Sequence, residues 1–447
     1  MPNTVDAEPL EVVFAECLSR EGGFLPPRVP LVDLPSPFTH YCAAADELSA
    51  RYHGPDASVR RWLRAEFAGW TDHLRERLDA LGLAQAERLM AVVSLLAHAF
   101  RWDSAPPRPE NYALRRIDLP AGLCEPWTAL ARRLDQPRVG NLYSMVLSNW
   151  RLAGKRGGDA YANHELSNDS IEIVHSWLKP PERDALQAFV RTGILTEARG
   201  VAAIRTAMAL IAAARRGESP LLRELLPRFA AEIDEVGAAF KHNIRDRHIR
   251  HGSFLTLIQP TTIWGIDHGQ GSLEGASGPQ IGSIQVIDAV LGLGHSTDMG
   301  RAILQSRTYM PGRHRRFLDR FERDAVDLRA FVAVARCSDL THHFNQCVAA
   351  MLAWRRMHVK RAAHYLKGDG VTEVSHYAST GHVVELEDER VQAFAHAMAE
   401  RMAETTQALV AADERCDGAM PPGAVSPKGE TLHDAVNNCA GGSACRR

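Results

Sequence analysis

Along most of this chain apolar residues return at three- and four-residue intervals with Arg and Glu between them, a spacing that gives a helix one apolar face. The pattern runs over 58–83, 85–100, 185–214, 221–244, 281–293, 315–334, 340–366 and 391–411. Alternation with period two, the mark of a half-buried strand, is nearly absent. The chain therefore reads as an all-α protein. Turn chemistry closes several segments, at Lys179-Pro180-Pro181, Met310-Pro311-Gly312 and Gly368-Asp369-Gly370.

With 447 residues the chain is long enough for two or three domains, and a core of that size needs no disulfide or metal staple. Pro and Gly cluster at 104–109, which reads as a linker. A polar, Gly-rich stretch over 251–282 is too long for an ordinary connection and is a candidate functional loop. The expected organisation is an N-terminal extension over 1–28, a small helical domain over 29–130, a large helical domain over 131–410 and a flexible tail over 411–447.

Composition excludes several classes of function. Lys and Arg total 52 against 54 Asp and Glu, a formal charge of -2, which lacks the basic footprint of a nucleic-acid binder. The longest apolar window, AVVSLLAHAF, is closed by Arg101, so no membrane span is expected. The N-terminus carries acidic residues where a signal peptide is basic, which points to the cytoplasm. Eight cysteines lie scattered without CxxC spacing. HExxH, GxSxG and GxxxxGK[ST] are missing from the sequence. Gly269-Gln270-Gly271 lacks the strand and helix of a dinucleotide fingerprint and reads as loop glycine. His242, His248 and His251 sit among Arg and Lys; His248 and His251 have a spacing that a metal can use, but a solvated basic loop is the preferred reading.

His358 stands apart. In LTHHFNQCVAAMLAWRRMHVKRAAHYL the apolar stripe runs Phe344, Cys347, Val348, Met351, Leu352 and continues through Arg355, His358, Ala362 and Tyr365. An imidazole and a guanidinium thus share the buried face one turn apart. A buried Arg is costly unless an anion meets it. Spacing leaves two readings open: a hydrogen-bonded core histidine, or a haem-iron ligand whose neighbour Arg355 pairs with a haem propionate or with Asp288 of GSIQVIDAVLG.

The run LAWRRMHVKRAAHYL, with RTYMPGRHRRFL and GASGPQIGSIQVIDAVLG before it, resembles the indoleamine 2,3-dioxygenase family. The resemblance extends upstream through VPLVDLPSPF, AERLMAVVSLLAHAFRW and RRIDLPAGLCEPWTALARRLDQPRVGNLYSMVLSNW, and covers roughly 29–402. More distantly the chain is similar to the pyrrolnitrin-pathway enzyme that rearranges a tryptophan ring. The family resemblance implies haem b as cofactor, O2 as co-substrate, a small indole-type substrate and a haem-binding large domain. It further implies His358 as proximal iron ligand, Arg355 and Asp288 as the charged pair beside it, and Ser277 as a loop residue near the distal face. Phe189 and Phe254 correspond to the aromatic residues that pack on the indole, and Thr380 of STGH to the threonine of a mobile loop over the pocket. Read from the residues alone, Phe189 and Phe254 are equally core aromatics.

Departures from the family pattern concern the substrate. Gln259 stands where the family has an arginine for the amino-acid carboxylate, and an amide lacks the bidentate, charge-assisted contact of a guanidinium. Gly193 stands at the distal serine position, Leu142 at a pocket tyrosine with Tyr143 beside it, and His382 follows Thr380 where the family has glycine. A carboxylate partner from Arg247 or Arg250 would restore amino-acid substrates. The expected function is haem-dependent cleavage of the C2,C3 bond of an indole. The alternatives are a biosynthetic haem oxygenase or ring-rearranging enzyme on a modified tryptophan or other aromatic, and a non-catalytic haem or gas-binding protein.

Overall fold

The computed structural model describes residues 9–53, 58–112, 114–267, 272–325, 327–366 and 387–411. The helices come in the order α1 (Leu10–Cys17), α2 (Thr39–Tyr52), α3 (Val59–Glu66), α4 (Asp72–Asp79), α5 (Leu83–Trp102), α6 (Pro109–Tyr112), α7 (Ala121–Arg133), α8 (Glu182–Arg215), α9 (Ser219–Asn243), α10 (His251–Ser253), α11 (Gln259–Thr262), α12 (Gly282–Val290), α13 (Asp298–Ser306), α14 (Gly312–Asp324), α15 (Leu328–Ala335), α16 (Ser338–Leu366) and α17 (Glu387–Gln407). The all-α expectation holds, with the periodicity setting most helices to within a few residues.

Two expected helices are broken. The segment 58–83 divides into α3 and α4, because Thr71 caps α4 by accepting from the Leu74 N–H. The segment 315–334 divides into α14 and α15, where Asp327 caps the second by accepting from Ala330. The Gly-rich stretch is not a plain loop. It folds into α10, a π-helical turn over Phe254–Ile258, α11 and an antiparallel ribbon of β3 (Ile263–Asp267) with β4 (Ser272–Gly275), numbered after a first ribbon of β1 (Trp150–Leu152) with β2 (Ile171–Ile173). Gly275 ends the ribbon at φ +119°, and a Cβ there would lie 2.4 Å from the Thr262 carbonyl oxygen, so only glycine fits. The dipeptide Gly269-Gln270, Gly271 and the tail from 412 lie outside the described residues.

Two hydrophobic cores divide the protein. The first gathers α2, α3, α5, α7, the front of α8 and the β3 ribbon; the second gathers α1, the back of α8, α9, α12, α14 and α16. Helix α5 is the axis of the first, with every residue from Ala86 to Trp102 buried. Among the described residues it is the one helix long and apolar enough to cross a membrane, and 83% of its most apolar window is buried inside the protein. Its buried polar groups are spent on distant backbone: Arg101 Nε donates to the Trp264 carbonyl (3.2 Å) and Trp102 Nε1 to the Ile263 carbonyl (3.0 Å). These bonds fasten the N-terminal helices to the β3 ribbon.

The helix α8 joins both cores and carries a buried carboxylate that fixes α12. Glu197 accepts from the first two N–H groups of α12, Gly282 at 2.7 Å and Ser283 at 3.1 Å. These are donors that a helix start leaves unmet. Burial pushes the Glu197 carboxyl up to about 7 from its ordinary 4.5, against the opposing pull of those N–H groups. Between these values the folded protein keeps a proton that the unfolded chain releases. The stabilisation is therefore complete below pH 4.5 and is lost as the pH rises through 7, by up to about 3 kcal/mol. Urea denaturation at a series of pH values should show this decline, and Glu197→Gln, which cannot ionise, should flatten it.

Candidate functional site

A cavity of about 800 Å³ opens between α8, α12, α16, α17 and the segment 254–281. It lies toward the upper end of ligand-site sizes. Its wall is mostly apolar, and nine of the residues expected from sequence line it together: Leu142, Phe189, Gly193, Phe254, Gln259, Ser277, Asp288, Arg355 and His358. Thr380, the tenth, and His382 lie outside the described residues.

His358 hangs from α16 into this space. Trp354, one turn earlier, stacks on the imidazole (centroids 5.2 Å, 25°), while Phe240 and Phe394 meet it edge-on at 5.0 and 5.8 Å. The stack depends on Gly237 of α9, since a Cβ there would lie 2.7 Å from Trp354 Cδ1. His358 Nδ1 is sealed from solvent and has no hydrogen-bond partner among the described residues. Burial, with Arg355 nearby, pushes the imidazole down to about 4. The ring is therefore neutral at physiological pH, the form that ligates a metal, with its half-buried edge toward the cavity. A core histidine satisfied by hydrogen bonds, the other reading of the sequence, has no bonding partner here.

Below His358 the wall is charged. Asp288 of α12 accepts from Arg355 Nη2 at 2.5 Å and, through its other oxygen, from Arg401 Nη2 at 2.7 Å. Arg401 continues to Glu404 (2.6 Å) and to the Gly294 carbonyl (2.8 Å). Asp288, Arg355 and Arg401 are 3%, 2% and 1% exposed, so each charge relies on the others rather than on water. Burial alone would raise the Asp288 carboxyl, but the two guanidiniums hold it below its ordinary value. Arg401 went unread in the sequence, since its buried partner Asp288 lies 113 residues away.

The opposite wall is aromatic and neutral. Phe189 of α8 lies 5.9 Å from Phe254, and Phe254 lies 5.8 Å from Tyr365 of α16. Two π-helical turns, Tyr143–Leu147 and Phe254–Ile258, deliver Val146 and Phe254 to the wall, as such turns commonly do at sites. Gln280 clips this side together: its Oε1 accepts from the Leu142 N–H (2.7 Å) while its Nε2 donates to the Gly275 carbonyl (2.6 Å) and to Ser277 Oγ (3.2 Å). Arg247 and Arg250 are exposed and do not line the cavity; Arg247 Nε donates to His248 instead. His242 and His248 approach ring to ring at 5.9 Å, but no group of three metal-ligating side chains forms among the described residues.

Removing the shared carboxylate should leave two buried guanidiniums facing each other. Asp288→Ala is expected to lower stability by about 3–5 kcal/mol, read by urea denaturation, whereas a change at the exposed Arg247 should cost well under 1 kcal/mol.

The sequence profile of the indoleamine 2,3-dioxygenase family matches residues 17–401. Among its relatives, indoleamine 2,3-dioxygenase 1 of Rattus norvegicus is 25% identical over 66% of this chain and 74% of its own length. The 6-hydroxytryptophan 2,3-dioxygenase of Fusarium equiseti is 26% identical over 77% of this chain and 82% of its own. A myoglobin of Haliotis madaka is 30% identical over a shorter stretch, 21% of this chain and 25% of its own length. The match spans most of both hydrophobic cores and every described residue of the cavity wall from Leu142 to Arg401: this chain belongs to the indoleamine 2,3-dioxygenase family of haem-dependent oxidoreductases.

Proposed function

We propose that the protein inserts O2 across the C2,C3 bond of an indole, with haem b held in the cavity by His358 and the aromatic substrate packed against Phe189 and Phe254. The observation that carries this reading is His358 itself: a neutral imidazole, unpartnered at its buried nitrogen, facing a mostly apolar cavity of about 800 Å³. The donor chemistry fits a porphyrin iron, which a neutral imidazole nitrogen commonly holds. When bound, haem supplies the redox-active iron that activates O2.

The chain's own residues do the rest. His358 would hold the iron, and the Trp354 stack with the edges of Phe240 and Phe394 fixes the plane of its ring. Arg355 and Arg401, paired with Asp288 and Glu404, would hold the helix that carries His358 in place under a bound haem. Phe189, Phe254 and Tyr365 orient a flat ring and exclude water from it. No described side chain of the distal wall is a histidine, and the reaction read here needs no protein base there. Thr380 belongs to this proposal as the loop residue over the pocket, and the small domain over 29–130 as its roof beside a haem-binding domain over 131–410. The cytoplasm is the proposed compartment.

The relative named as a myoglobin favours a second reading, reversible gas binding without turnover. The two part in one experiment: reduce the haem-loaded protein without air, add indole compounds, admit labelled oxygen and weigh the product. Two labelled atoms per product support the dioxygenase, one supports a hydroxylase, and recovery of unaltered indole supports the gas binder. His358→Ala should abolish the haem absorbance band of protein loaded with hemin; a variant that keeps pigment and turnover would refute the assignment.

A further inference from the structure

We infer that the substrate is a neutral indole without a carboxylate, and that Gln259 sets this preference. The inference rests on the indole reading above and sharpens it to a chemical class.

The described wall of the cavity carries three charged side chains, Asp288, Arg355 and Arg401, and they neutralise one another with Glu404. Both guanidiniums bind the same carboxylate on the His358 side of the cavity, away from the wall of Phe189 and Phe254, and Glu404 completes their charge balance. On the distal wall, where Phe189 and Phe254 pack, the described polar groups are neutral, among them Gln259, Thr192, Thr196, Thr262, Ser277 and Tyr365. An anion brought there would be desolvated with no described counter-charge, and a cation equally so.

The hydroxyls add a direction. Thr192, Thr196 and Thr262 donate their protons to backbone carbonyls of Ala188 (2.9 Å), Thr192 (2.7 Å) and Gln259 (2.9 Å). What they can still offer is lone pairs. These three threonines therefore accept from N–H or O–H groups and offer no proton to a carboxylate. Gln259 is buried within it, 4% exposed, on α11 five residues beyond Phe254. Gln259 and Phe254 line the same cavity, so a guanidinium at position 259 would bring a positive charge to this wall. The fitting ligand is an indole with an uncharged, hydrogen-bond-donating side chain.

The test measures equilibrium binding to the ferric haem-loaded protein, by calorimetry and by the shift of the haem band, for indole-3-ethanol, indole-3-propionate, tryptamine and L-tryptophan. The neutral alcohol should bind at least about tenfold more tightly than the propionate and than tryptophan. In Gln259→Arg the preference should move at least about tenfold toward the propionate. Tryptophan or the propionate binding the native protein as tightly as the alcohol would overturn the inference and leave the indole reading standing. If none of the four compounds binds while the pigment is present, the indole reading itself fails, and the inference with it. The comparison in the native protein stands whether or not the variant folds.

Discussion

Two guanidiniums sharing one buried carboxylate set the spacing of three helices, and the cavity exists because that spacing is held. Asp288 comes from α12, Arg355 from α16 and Arg401 from α17, and Asp288 cannot move into water without taking from both guanidiniums the carboxylate they share. Arg355 lies one turn from His358, so the clamp also fixes the height and rotation of the helix that presents the imidazole. Charge balance reaches one residue further, through Glu404, so the quartet is neutral as a whole. A neutral buried network is rigid because every partial rearrangement exposes a charge to a medium that cannot screen it.

The upper side of the cavity is built by a different device. Two π-helical turns each widen the helix by one residue and push a side chain inward that an α-helix would have kept at its flank. Gln280 then ties the first turn, through the Leu142 N–H, to the end of the second ribbon and to Ser277. Gly193 completes the arrangement on α8: a Cβ there would press on Val146 at 3.0 Å, so the small residue and the π turn are fitted to each other. Backbone irregularity supplies the shape on this side, where charge supplies it on the other.

What the sequence discloses follows from which of these devices leaves a pattern in it. Helical periodicity reveals α8, α9 and α16 because each buries a continuous stripe. The buried Arg355 and His358 stand out because a stripe otherwise apolar continues through them. The breaks between α3 and α4 and between α14 and α15 depend on single capping oxygens, Thr71 and Asp327, which weigh little against the periodicity around them although both are ordinary N-cap residues. The π turns have no compositional mark at all, being a change in hydrogen-bond register, and the β3 ribbon was hidden by its glycines. Arg401 was missed because a Lys- or Arg-bearing helix near a chain end reads as solvated unless its partner is known, and the partner lies 113 residues away. The resemblance of the segments from 29 to 402 supplied the roles that spacing alone left open.

The two sides of the cavity also differ in how they bear substitution. The members of the charged quartet are bound in series, Asp288 to both guanidiniums and Arg401 also to Glu404, so the effects of two changes cannot add independently. The distal residues are coupled mainly through backbone: Thr192 and Thr196 bond their own helix, and Thr262 bonds the carbonyl rather than the side chain of Gln259. A change of side chain at 259 or 193 can therefore alter what the wall recognises while the helix carrying His358 keeps its place. That separation lets the floor that carries His358, Arg355 and Asp288 stay as it is while residues such as Leu142, Gly193 and Gln259 set the polarity of the wall above it.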